Sequence, residues 1–138
     1  MPETMNVHAK YAAGMRFDLE SGTGHTITLD GEHHAGSSPM EMLLASLAGC
    51  SGMSIISILH KKQELVTRYE IQVQGVRAET HPLVFVQITV EHLITGHHVR
   101  PQSVERAIEL AETRYCGVSI MLSNATNLIH TYCIIEAV

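Results

Sequence analysis

Residues 37–62 read SSPMEMLLASLAGCSGMSIISILHKK, and the reading of this stretch decides the fold. Ser38 suits an N-cap, Pro39 the first helical position, and Glu41 stands three residues after Ser38. That spacing is a capping box, in which each partner's side chain bonds the other's backbone N–H. Leu43, Leu44, Leu47, Ile55, Ile56, Ile58 and Leu59 then spread over more than one helical face, which predicts a long central helix buried on most sides. Ala45, Ser46, Ala48, Gly49, Ser51, Gly52 and Ser54 are small and surround Cys50. Two glycines inside a helix cost roughly 1 kcal/mol each relative to alanine, so they imply close approach of another backbone or a second subunit. A thiol at the centre of this helix is either a small apolar filler or a shielded reactive group.

Outward from the helix, strands and turns alternate. Thr26, Ile27, Thr28 and Leu29 precede an Asp30-Gly31 turn, and the segment before the helix reads as short strands. A long hairpin follows, with Tyr69, Ile71 and Val73 on one strand and Val84, Val86, Ile88 and Val90 on the next, joined at His81-Pro82. A second helix is expected from Pro101 to Tyr115, with Cys116 next and Gly117 as a helix-ending residue. The closing strand NLIHTYCIIEAV places Ile129, Cys133 and Ile135 on one face, which makes Cys133 a core filler. The order predicts one α+β domain over residues 1–138 with a mainly antiparallel sheet.

Composition narrows function. The 138 residues carry a formal net charge of −5, and no basic cluster exceeds Lys61-Lys62, so nucleic acid has no electrostatic support as a partner. No secretory signal opens the chain, and the apolar stretch Met40–Leu59 is broken by Ser and Gly. It reads as a core helix, with no membrane role and a cytoplasmic location expected. Three cysteines with no CxxC exclude a disulfide framework and a zinc knuckle. Ten histidines include the pairs His33-His34 and His97-His98, but adjacent residues point apart and both pairs sit in turn-like segments, so no metal and no cofactor are expected.

PMEMLLASLAGC together with YCGVSIML, the strand HPLVFVQITVEHLITG and the closing strand resembles the osmotically inducible protein C and organic hydroperoxide resistance family, closest to its small OsmC-like branch. The resemblance implies an OsmC-like fold in an intertwined homodimer. It also implies thiol-dependent peroxidase chemistry on organic hydroperoxides in oxidative stress defence, with a small dithiol as reductant. Carried over, Cys50 matches the peroxidatic cysteine and Cys116 the resolving one. A thiolate must attack the O–O bond, and a second thiol must reach the resulting sulfenic acid before further oxidation. The family supports its thiolate with an Arg from the N-terminal strands, here Arg16, whose other reading is a surface pair with Asp18. The family's Glu follows the motif's Pro, a slot held here by Met40, about 80° around the helix from Cys50. Glu41 lies on nearly the opposite side, and the capping box already accounts for it. A non-catalytic binding or thiol-sensing protein on the same fold is therefore the alternative.

Overall fold

A computed structural model describes residues 2–138 and resolves two compact units, one up to Leu43 and the other from Leu44 to Val138. The first holds strands β1 (Val7–Ala13), β2 (Arg16–Ser21) and β3 (Thr26–Asp30), an antiparallel meander in the order β1-β2-β3. Helix α1 (Pro39–Lys61) begins at its end. The capping box is present: Ser38 N–H donates to Glu41 Oε1 at 2.9 Å, and Glu41 N–H donates to Ser38 Oγ at 3.3 Å. In the loop before it, the Asp30 carboxylate accepts the N–H groups of Glu32 and Ala35.

The second unit carries β4 (Leu65–Arg77), β5 (Phe85–His97), α2 (Pro101–Leu110), a π-helical turn (Ala111–Tyr115), α3 (Gly117–Ser123) and β6 (Asn127–Glu136). β4 and β5 form the expected long antiparallel hairpin, whereas β6 pairs with β5 in parallel. A parallel partner requires a crossover, and α2, the π-turn and α3 supply it. Three of the four strand pairings are thus antiparallel, within an α+β architecture.

Burial on α1 follows Leu47, Ser51, Ile55 and Leu59, a stripe spaced by four residues. The expectation of burial on most sides is corrected to burial on this one face: Ala45, Gly49, Met53 and Ser57 are exposed, because the core packs against the stripe alone. Ile55 and Leu59 join Ile94, Val99, Val104, Ala107, Ile108, Ala111 and Cys116 in one core, so α1 is a core helix although it is long and apolar enough to cross a bilayer. The close backbone approach expected at the two glycines is absent: a Cβ on Gly52 would lie 2.8 Å from the side-chain tip Ile71 Cδ1, and one on Gly49 would meet nothing within 4 Å.

Three further expectations are corrected. In β5 the register jumps from Gln87 to Phe85, which leaves Val86 as a bulge and turns Phe85 inward. Val84 and Val86 are exposed, because one extra residue flips the side-chain alternation. The second helix ends at Leu110 and relaxes into the π-turn, closed by Cys116 N–H to the Ala111 carbonyl at 2.8 Å; Gly117 does not terminate it but opens α3. Cys133 is exposed on the outer face of β6, because Leu128, His130 and Ile134 take the inner positions. It is not a core filler.

α2 starts without a side-chain cap of its own. The buried Glu64 carboxylate takes over, accepting Arg100 N–H at 3.3 Å and Arg100 Nε at 2.7 Å.

Candidate functional site

The core of the second unit is mostly apolar and holds one buried sulfur. Cys116 is fully buried where the π-turn meets α3 and acts as the N-cap of that helix, its Sγ accepting Ser119 N–H at 3.3 Å. A sulfur in a capping position satisfies a backbone donor that the helix itself cannot. Ser51 Oγ, on the buried stripe of α1, lies 3.6 Å from the same sulfur. The half-buried Cys50 packs against the core cluster that contains Cys116, near enough to act on its titration, and both thiols are free. Burial, first, and the neighbouring Cys50 push the Cys116 thiol up, against the hydrogen bonds from Ser51 and Ser119 that pull it down. Cys116 is thus held as a thiol at neutral pH.

From Ser119 a polar chain runs through the core. Ser119 Oγ is 3.2 Å from His130 Nε2 on β6, His130 Nδ1 is 3.0 Å from His92 Nε2 on β5, and His92 Nδ1 is 2.7 Å from the Tyr69 hydroxyl on β4. The two imidazoles stack with centroids 5.3 Å apart. Burial, with the like charge of His130 second, lowers His92 from 6.5 to about 4. Burial lowers His130 and raises Tyr69, so all three groups are neutral at pH 7. A neutral imidazole offers one donor and one acceptor. Glu112 Oε2, 3.9 Å from His130 Nε2, favours the proton on that nitrogen. His130 Nδ1 must then accept from His92 Nε2–H, and His92 Nδ1 must accept from the Tyr69 hydroxyl. Every bond points toward Ser119.

The structure brings Cys50 and Cys116 together. Arg16 and Glu41 belong to the first unit, where each has its own partners. Arg16 Nε donates to Asp18 at 3.1 Å, the surface pair that the sequence offered as its other reading. Glu41 binds Ser38 and lies 3.0 Å from His33 Nδ1; the Ser38 hydrogen bonds hold its carboxyl below the usual range. Among the described residues no three His, Cys, Asp or Glu side chains are grouped as metal ligands. His92, His130, Ser119 and Tyr69 went unnoticed as site residues. Their signal was a histidine at an inward strand position, between Val90 and Ile94, where alternation calls for an aliphatic side chain.

An α+β fold that carries one thiol on a core helix and a second on the crossover before its last strand defines a class, and residues 30–131 match the family of OsmC-like proteins. The chain belongs to that family. It is 35% identical to protein YhfA of Escherichia coli K12 over 134 residues, which covers 96% of this chain and all of YhfA. Among solved structures, a hypothetical protein from Aquifex aeolicus VF5 is 28% identical with a TM-score of 0.90, covering 99% of this chain and all of that one. The organic hydroperoxide resistance protein OhrB of Bacillus subtilis shares the fold at 16% identity and a TM-score of 0.63, over 95% of this chain and 98% of its own.

Proposed function

We propose that this protein is a thiol-dependent peroxidase for organic hydroperoxides, working as one OsmC-like domain in a cytoplasmic homodimer. The observation that carries the reading is the placement of two free thiols at one core cluster, Cys50 half-buried against it and Cys116 fully buried within it. The fold shared with a protein named for organic hydroperoxide resistance supports the same choice.

The Cys50 thiolate attacks the distal peroxide oxygen, the O–O bond breaks, and the alkoxide leaves as an alcohol after taking a proton. Cys50 becomes a sulfenic acid. Cys116 then attacks the Cys50 sulfur, its proton leaves with the displaced hydroxide as water, and a disulfide forms. A small dithiol reduces that disulfide by two exchanges. Arg16 is the cation that the family resemblance offers for the thiolate, and its partner in the structure is Asp18. Glu41 is weaker, because the helix cap already occupies it.

The test is consumption of cumene hydroperoxide and hydrogen peroxide with a dithiol, comparing the protein with Cys50→Ser and Cys116→Ser. Preferential loss of the organic peroxide, abolished in Cys50→Ser, is the expected result. Turnover no faster than that of Cys50→Ser sinks the reading. It would favour a binding or sensing protein, the alternative suggested by Met40 in the family's acid position and by the engaged Glu41.

A further inference from the structure

Two imidazoles and a phenol hydroxyl in an apolar core need a reason. An aliphatic residue at position 92 would continue the run of Ile88, Val90 and Ile94, and buried polar groups are costly unless every bond is made. Here each bond is made, and the series draws on β4, β5, β6 and α3 to end on one residue, Ser119. That residue has two attachments: its hydroxyl meets His130, and its N–H donates to the Cys116 sulfur. Whatever fixes the hydroxyl therefore fixes the donor that faces the sulfur. Simple register-setting would be served by any satisfied pair between β5 and β6. It would not require the far end to meet the N-terminal turn that holds a thiol.

We propose that His130, oriented by His92 and Tyr69, is a positioning residue that locks Ser119 N–H onto the Cys116 sulfur and so stabilises the thiolate that closes the Cys50–Cys116 disulfide. This rests on the resolving role given to Cys116 above, but not on the oxidant being a peroxide. An N–H aimed at a sulfur favours its anion over its thiol. The titratable group that acts directly on Cys116 is Cys50 from α1; Glu112 from the π-turn, His92 and Tyr69 connect to it only by way of His130 and Ser119. The hydrogen-bonded path to the sulfur runs from His130 through Ser119.

Closure can be read without peroxide. In a Cys133→Ser background, which removes the exposed thiol, dithiobis-nitrobenzoate reacts with the Cys50 thiolate. An S–S bond breaks, one coloured aromatic thiolate leaves, and a Cys50 mixed disulfide forms. Cys116 then attacks the Cys50 sulfur and releases the second thiolate in a concentration-independent phase. His130→Phe should leave the first phase within about twofold, slow the second about tenfold at pH 7, and move its midpoint up by about one pH unit. His130→Gln keeps an N–H at the place of Nε2 and should restore most of the rate and the midpoint. Tyr69→Phe, which removes only the far hydroxyl, should show a smaller slowing in the same direction.

A second phase unchanged in His130→Phe overturns the inference. So does equal slowing in His130→Phe and His130→Gln with an unmoved midpoint, which is the mark of loosened packing alone. If His130→Phe does not fold, His130→Gln and Tyr69→Phe decide by the same midpoint. Release of only one thiolate by the parent overturns both the resolving role of Cys116 and this inference. Closure that depends on His130 in a protein that consumes no peroxide upholds the inference while the peroxidase reading fails.

Discussion

The two sheets of this molecule treat apolar side chains in opposite ways. β4–β6 covers Ile88, Val90 and Ile94 completely, whereas in β1–β3 Val7, Tyr11, Phe17 and Ile27 stand exposed and only Asp30 is buried. The first sheet is held by its backbone ladder, an edge-on Tyr11–Phe17 contact and the turn around Asp30. The second is held by a core. An exposed apolar sheet face in a folded chain is a surface that asks for cover, and the proposed homodimer is what would provide it.

The contrast has consequences of different size. The largest belongs to the core of the second unit: Ile94→Ala should lower stability by about 3–4 kcal/mol in urea unfolding, by lost burial plus the cavity left behind. If it costs less than half of that, the division of labour between the sheets is wrong.

Next comes acid. Between its ordinary 6.5 and about 4, His92 binds a proton in the unfolded chain that it does not bind in the folded one. Stability therefore falls as pH drops through that window, by roughly 3 kcal/mol near pH 4. Asp30 is held below its ordinary 3.8, chiefly by the Glu32 N–H, so its contribution is lost only in more acid solution. A pH series of melts should show loss beginning in mild acid, and His92→Gln should reduce that early part, which the lowered His130 shares, while sparing the later one.

Glu64→Gln should cost about 1–3 kcal/mol, because it removes the charge from a buried acceptor that caps α2 and binds Arg100. Thermal unfolding would measure it, and a neutral result would mean that solvent caps the helix equally well. The smallest change is Val7→Ala on the first sheet, below about 0.5 kcal/mol for dilute chains. A cost that grows with protein concentration would instead locate the dimer contact on that sheet.

How much of this could be read beforehand divides along similar lines. The capping box, the long hairpin and the two family cysteines are local patterns, and each is present. What escaped depends on contacts between distant elements. Gly117 looks like a stop after a regular helix, yet the π-turn displaces the end and makes Cys116 a cap, so the same glycine begins α3. Val84 and Val86 keep their alternation in the sequence, but the bulge at Val86 shifts the face. His92 and His130 are 38 residues apart, and only the parallel register of β5 with β6 sets them side by side. Cys133 looked internal because its strand is apolar on both faces; only one of them meets the core.

That parallel register also bears on the order in which the chain acquires its chemistry. A hairpin such as β4–β5 closes across a short turn, whereas β6 can join only after the polypeptide has doubled back through α2, the π-turn and α3, a longer loop with a larger closure entropy. Cys116 rides on that return path and His130 on the strand it delivers. The bond from His130 to Ser119, beside the Cys116 sulfur, therefore depends on the pairing that costs the most closure entropy. A chain cut before residue 127 would hold both family cysteines, yet it would lack His130 and the β5 pairing that seats it.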